Sequence, residues 1–122
     1  MAINADTADI VWRVPLGEYK ELTRRGIPKT GTANAGGPIV TASGLVFIGS
    51  TTDQQFRAFE SMTGKELWAA TLPNDAIATP LTYMGRNGRQ YVATVAGGGL
   101  DNFVKPALAS PRENVVVAFA LR

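Results

Sequence analysis

Neither cysteine nor histidine occurs anywhere in the 122 residues. Their joint absence removes the thiolate nucleophile, the imidazole general base and the usual zinc ligands, so a Ser-His-Asp triad is excluded. It leaves the compartment open, because a β protein with a large core needs no disulfides. No segment reaches the roughly 18 consecutive apolar residues of a membrane-spanning helix. Met1-Ala-Ile-Asn-Ala-Asp-Thr7 lacks the basic stretch and apolar run of a secretory signal, so the chain is expected to carry neither signal nor anchor of its own. Excess charge of one sign is also missing: 12 Lys and Arg stand against 10 Asp and Glu, a net charge of +2. The charges are spread along the chain apart from Lys20, Arg24, Arg25 and Lys29, so no nucleic-acid partner is expected. Helical periodicity is absent too, since no stretch longer than two turns keeps apolar residues at helical spacing.

What is present is turn chemistry and short apolar runs. Thirteen Gly, 7 Pro and segments such as Gly44-Leu-Val-Phe-Ile-Gly49 argue for many short strands joined by tight turns, an all-β chain. Internal similarity orders these strands. Ala58-Phe-Glu-Ser-Met-Thr-Gly-Lys-Glu-Leu-Trp68 lies over Ala2-Ile-Asn-Ala-Asp-Thr-Ala-Asp-Ile-Val-Trp12 without a gap, with Ala, Thr and Trp coinciding. Further matches join Gly37–Thr41 to Thr79–Tyr83, Leu45–Ile48 to Gln90–Ala93, and Arg57-Ala-Phe59 to Val117-Ala-Phe119. The period is about 60 residues, somewhat longer than the 40–50 of common propeller blades, and the excess falls in loops.

Within one period four strands are predicted: Gly37–Thr41, Leu45–Ser50, Phe56–Glu60 and Glu66–Leu72. Gly44 and Gly64 supply positive φ for the hairpin turns, and Asp53 suits the turn it occupies. Residues 37–72 thus form one complete four-stranded antiparallel blade. Asp9–Leu16 corresponds to the outermost strand of a preceding blade. Ala78–Met84, Gln90–Ala96 and Asn114–Leu121, within 78–121, give the first three strands of a following one. One strand from the front and three from the back make a split blade, the device by which propellers hide their edges. Two blades cannot close a ring, so residues 1–122 read as a partial propeller domain whose front strand completes the blade of another copy or of a longer parent.

The repeated Ala-x-(Asp/Asn/Glu)-x-x-Thr-Gly-x-x-x-Trp resembles the tryptophan docking motif of quinoprotein dehydrogenases. In that family the Trp stacks between neighbouring blades and Thr-Gly makes the turn before the outer strand. Ala58, Thr63, Gly64 and Trp68 follow it, with Glu60 where the family prefers Asp. Trp12 follows it loosely, because Ala8 replaces the turn Gly, and residues before about Asp9 read as a junction foreign to the repeat. Both Trp are assigned to packing rather than chemistry. Val14–Glu18, Gly31–Ala42, Leu45–Gly49 and Ala78–Tyr83 extend the resemblance to the closing blades of the membrane-bound glucose dehydrogenase type and its relatives for quinate and other polyols. The resemblance implies eight blades, pyrroloquinoline quinone (PQQ) with calcium in the intact enzyme, and a periplasmic site with an inner-membrane anchor on the parent.

Two segments are expected at the rim of the central funnel, where cofactors bind in propellers. In Thr30–Gly37, Asn34 offers an amide to quinone carbonyls, while Gly36 and Gly37 admit close backbone approach. The same Gly pair also reads as a turn required by geometry alone. In Gly97–Asn102, Gly98 and Gly99 lie near the same rim; the resemblance implies a His where Gly99 stands, a departure that touches the tuning of cofactor and acceptor. The triple Gly is no phosphate loop, since no strand-to-helix switch or following Lys-Ser/Thr accompanies it. The run Asp101–Glu113 departs from the family pattern and reads as a divergent insertion. The cations of Lys20–Lys29 could contact quinone carboxylates, but read first as a solvated loop.

The chemistry implied by the resemblance is removal of the substrate hydroxyl proton by an Asp and hydride transfer to the quinone, with calcium polarising a carbonyl. The resemblance implies that the residues supplying base and calcium ligands lie in segments upstream of those present here. No catalytic or metal-ligating role is therefore assigned; Asp53, Asp75 and Asp101 are read as loop residues. The expectation is a fragment of a PQQ-dependent sugar or alcohol dehydrogenase, glucose to gluconolactone in type, inactive alone and binding no cofactor alone. Its partners would be the remaining blades or identical copies, four of which would complete the ring as a homotetramer. The alternative is a non-catalytic PQQ-like repeat module for protein binding or assembly.

Overall fold

The computed structural model describes residues 1–99 and 114–120. Nine strands and one short helix follow in the order β1 (Ala2–Ile3), β2 (Ile10–Trp12), α1 (Lys20–Arg24), β3 (Ile39–Val40), β4 (Leu45–Ile48), β5 (Gln55–Glu60), β6 (Glu66–Thr71), β7 (Leu81–Met84), β8 (Gln90–Ala96) and β9 (Val115–Ala120). They form three antiparallel sheets of two, four and three strands: β1-β2, β3-β4-β5-β6 and β7-β8-β9. Each sheet is a meander, in which every strand pairs with its neighbour in sequence.

The eight expected strands have counterparts in β2 to β9, most of them with trimmed ends. β3 and β7 begin late because Pro38 and Pro80 lack the N–H that a ladder needs. The final expected position, Leu121, lies outside the described residues, as do Asp101 and the rest of 100–113. The helix is an addition to the expected loop. Leu22 and its neighbours are good helix formers, Glu21 sits in the first turn and Arg24 in the last. The helix then stops where Gly26 takes φ +81. There Gly26 N–H donates to Thr23 O and Ile27 N–H to Leu22 O, the double bond of a Schellman ending.

The front of the chain requires a correction. Residues 1–8 are not foreign to the repeat: Ala2–Ile3 pairs with Ile10–Trp12, so the front contributes two strands rather than one. Ala2 opposes Trp12 as Ala58 opposes Trp68, and a bulge follows at Ala2/Ile3 as it does at Ala58/Phe59. The turns agree bond for bond. Asn4 N–H donates to Asp9 O at 2.9 Å as Glu60 N–H does to Lys65 O at 2.9 Å, and Ala8 N–H to Asn4 O at 2.8 Å as Gly64 N–H to Glu60 O at 2.9 Å. Ala8 takes φ 61 to match the φ 71 of Gly64. An L-residue reaches that region at a cost of about 1–2 kcal/mol, which the closed turn sustains.

The core lies between the second and third sheets. Phe47, Phe56 and Ala58 from one, with Leu72 and Ala76 from the crossover that follows it, pack with Val92 and Ala96 from the other. Phe56 is the centre of an aromatic cluster, stacked on Phe47 and Phe119 with ring centroids 6.1 and 5.9 Å apart and meeting Trp68 edge-on at 6.1 Å. Trp68 in turn contacts Phe119 edge-on at 4.9 Å. On the other face of the second sheet, Trp12 lies over the Gly64 turn and its Nε1–H donates to Ser61 O at 2.8 Å.

Candidate cofactor-rim site

Strand direction in a meander sends the β2–β3, β4–β5, β6–β7 and β8–β9 connections to one end of the sheets and the tight hairpin turns to the other. The four longer connections touch one another there. Ala35 N–H donates to Ser50 O at 3.0 Å, Ser50 N–H to Ala76 O at 2.6 Å, Gly97 N–H to Asp75 O at 3.2 Å and Leu72 N–H to Gln54 O at 2.8 Å. An isolated antiparallel bridge joins Asn34 to Thr51. The segments holding Asn34, Gly36, Gly37, Gly98 and Gly99 therefore come together, although Gly37 and Gly98 are far apart in sequence.

Their individual settings differ. Asn34 is exposed, with its backbone held by the bridge to Thr51. Gly36 has φ +124, and a Cβ there would stand 2.3 Å from Ile77 O and 2.7 Å from Ser50 Oγ. Its bare Cα thus admits the neighbouring crossover. A Cβ on Gly37 would meet Thr79 Oγ1 at 3.2 Å, and one on Gly98 would meet Ile77 Cδ1 at 3.2 Å. Ile77 is the shared floor under both Gly segments. Gly99 is buried. Ser50 is fully buried at φ 67, and its Oγ, like that of buried Thr94, has no hydrogen-bond partner among the described residues.

Beside this rim lies a cluster that the loop reading of Asp53 did not anticipate. Asp53 is bound by both terminal nitrogens of Arg57, with Nη1 at 3.1 Å from Oδ1 and Nη2 in a still shorter contact with Oδ2. The Thr51 hydroxyl donates to Oδ1 at 2.6 Å, Gln55 N–H donates to the same oxygen at 3.2 Å and Glu18 N–H donates to Oδ2 at 2.9 Å. Arg57 Nε lies 3.5 Å from Glu66 Oε2, and Lys29 Nζ lies 3.2 Å from the same oxygen. Asp53 and Arg57 side chains are only 3% and 2% exposed. Burial alone would raise the Asp53 pKa, but the Arg57 and Thr51 hydrogen bonds, the guanidinium charge and the Glu18 N–H outweigh it and hold the carboxyl below its ordinary value. The signal was available: an Arg between Phe56 and Ala58, in a strand otherwise apolar at its centre, needs a partner, and Asp53 stands four residues before it.

Lys29 is the one cation of the Lys20–Lys29 run with an ion pair among the described residues; Lys20, Arg24 and Arg25 are exposed. Among the described residues no group of three His, Cys, Asp or Glu side chains is placed to hold a metal ion. No helix among them is long and apolar enough to cross a membrane. What the geometry defines is a wall of stacked antiparallel sheets, with a Trp of one repeat packed on the Thr-Gly turn of the next and a loop-built rim at one end, the class of β-propeller segments.

The comparisons specify the family. Residues 1–92 match the family described as PQQ: Glucose/ethanol/alcohol dehydrogenase, beta-propeller domain. The chain is 46% identical over 94 residues to the glycerol dehydrogenase large subunit of Gluconobacter thailandicus, a match covering 73% of this chain and 13% of that protein. It is 40% identical over 127 residues to the quinate/shikimate dehydrogenase (quinone) of Acinetobacter baylyi, covering 98% of this chain and 15% of that one. Among solved structures, a europium-containing methanol dehydrogenase superposes with a TM-score of 0.61 at 29% identity, over 72% of this chain and 19% of its own. A quinohemoprotein alcohol dehydrogenase from Comamonas testosteroni gives 0.56 at 35% identity, over 72% and 13%. The chain belongs to the PQQ-dependent dehydrogenase β-propeller family, and it spans about one seventh of the length of these curated relatives.

Proposed function

We propose that this chain is the ring-wall portion of a PQQ-dependent dehydrogenase that oxidises a sugar or polyol alcohol and passes the electrons to a quinone. The observation that carries the reading is the near-complete match to a quinate/shikimate dehydrogenase (quinone), which spans 98% of this chain. Glucose, glycerol and methanol dehydrogenases of the family also match, so the substrate is an alcohol group on a small molecule, with a sugar or polyol favoured by the longer matches, 94 and 100 residues for the glycerol and glucose enzymes against 63 for the methanol enzyme.

Within that enzyme the chain contributes support and rim. PQQ, when bound, supplies the electrophilic quinone that accepts hydride. Asn34 would offer its exposed side-chain amide to the quinone edge, and Gly36, Gly37, Gly98 and Gly99 would set the height of the backbone beneath it. The proton-accepting base and the metal ligands would be supplied by the rest of the ring. The partners are the remaining blades, or further copies of this chain arranged as a tetramer, and the assembled enzyme works in the periplasm.

The test is solution mass followed by titration with PQQ and calcium, reading quinone absorbance and dye reduction with glucose, glycerol or quinate. The single chain is expected to leave both signals unchanged, and a ring-sized assembly to shift the absorbance and reduce dye. A ring-sized assembly that ignores PQQ overturns the reading in favour of a non-catalytic module.

A further inference from the structure

Among the described residues, the crossover from β2 to β3, residues 13–38, is a long connection tied to the sheets by a single isolated bridge, Asn34 to Thr51. Its counterpart from β6 to β7 needs only residues 72–80. A long excursion across the surface is held by whatever side chains reach it. Here one connected set of polar groups does so at two points. Asp53 Oδ2 accepts the Glu18 N–H at 2.9 Å on the outgoing side, and Glu66 Oε2 binds Lys29 Nζ at 3.2 Å on the returning side. Arg57 joins the two carboxylates from inside the blade. Immediately past Lys29 the chain turns at Gly31, Thr32 N–H donates to Leu16 O at 2.9 Å, and Ala35 N–H and Asn34 attach to Ser50 and Thr51. Gly17, next to Glu18, is packed so closely on Thr32 and Thr51 that a Cβ would meet Thr32 Oγ1 at 2.4 Å.

We propose that Asp53, Arg57 and Glu66 form an internal latch that closes the 18–29 excursion and thereby positions the rim segment 32–37. They are positioning residues; none needs to touch a ligand. A buried ion pair adds little net stability over an apolar replacement, but it demands one geometry. Arg57 serves this because its planar fork can hold Asp53 with two nitrogens and present the third to Glu66, which a lysine ammonium could not. The latch stands on the geometry alone, while its consequence for PQQ rests on the rim reading above.

The test is amide hydrogen exchange on the full chain, with β8 and β5 amides as internal references. Asp53→Asn is expected to accelerate exchange in 16–20 and 30–37 by about tenfold or more beyond any rise shared with β8. Glu66→Gln, which leaves the buried pair in place, is expected to loosen only the neighbourhood of Lys29 and to expose the Lys29 peptide bond to trypsin. A rise for Asp53→Asn that is no greater in 16–20 and 30–37 than in β8, or no local change for Glu66→Gln, overturns the latch. Should Asp53→Asn fail to fold, the Glu66→Gln comparison decides alone. In the longer PQQ-loaded protein the Asp53→Asn change should speed PQQ loss on dialysis, followed by quinone absorbance. A loosened rim with unaltered PQQ retention would keep the latch and reject the rim reading.

Discussion

At the scale of single residues, Gly64 and Ala8 hold equivalent corners of two copies of one turn and carry opposite liabilities. Gly64 has φ +71, and a Cβ there would press to 2.5 Å from the Trp12 ring. Gly64→Ala is therefore expected to cost more than the strain of φ alone, about 2–4 kcal/mol in urea denaturation. Ala8→Gly relieves strain at an exposed corner and is expected to stabilise by about 0.5–1 kcal/mol. Asp53 makes a pH prediction of definite sign. Its pKa in the folded chain lies below the unfolded value of about 3.9, so the unfolded chain binds the proton more readily. The stabilisation is complete above that unfolded value and is lost as pH falls through the lower folded one. Urea midpoints measured from pH 6 down to pH 2 should fall in this window, and Asp53→Asn should flatten that fall while lowering the plateau by about 3 kcal/mol.

At the scale of elements, the β1-β2 hairpin is attached by the Trp12 indole. The ring covers the Gly64 turn and its N–H donates to Ser61 O at 2.8 Å. Trp12→Phe keeps most of the apolar contact and loses the donor, leaving a carbonyl short of a partner, at an expected cost of about 1 kcal/mol; Trp12→Ala should cost about 3–5 kcal/mol. Exchange at Ala2, Ile3 and Ile10 should report the hairpin's release before the rest of the chain unfolds. The strands of the two larger sheets were legible because their apolar residues come in short runs closed by Gly, Pro and Asp. The helix at Lys20–Arg24 was not, because five residues carry no periodicity to read. Residues 1–8 were misjudged for a specific reason. Ala8 argued against the turn, whereas the loop of residues 4–9 supplies its own backbone bonds and tolerates the strain.

At the scale of the whole chain, the third sheet has two unlike faces. Val92 and Phe119 point into the core, so Leu81, Tyr83, Tyr91 and Val95, whose pairings set them on the opposite side, face outward; Leu81, Tyr83, Val95 and Val116 are exposed. At the front, Ile3, Ile10 and Val11 are exposed as well. Apolar ends of this kind are faces that a packed neighbour normally covers. The isolated chain is therefore expected to associate in a concentration-dependent way in sedimentation, and Leu81→Lys with Val116→Lys to shift it towards the monomer without lowering its unfolding free energy in urea by more than about 0.5 kcal/mol. A sharp monomer for the unaltered chain would contradict the reading of these ends as blade junctions.

By itself the sequence determined the strand pattern, the repeat and the family, because alternation, turn residues and the Thr-Gly-x-x-x-Trp spacing are local properties written along the chain. It also placed the rim segments on loops at a common end. Only the tertiary structure decided that Gly36 is bare to admit the Ile77 carbonyl, and that Asp53 belongs to an ion network through Arg57 rather than to a turn alone. It alone decided that residues 2–3 form a strand. Each of these depends on which atoms from distant segments come within a few ångströms of one another, and burial then fixes whether a charge is solvated or must find a partner.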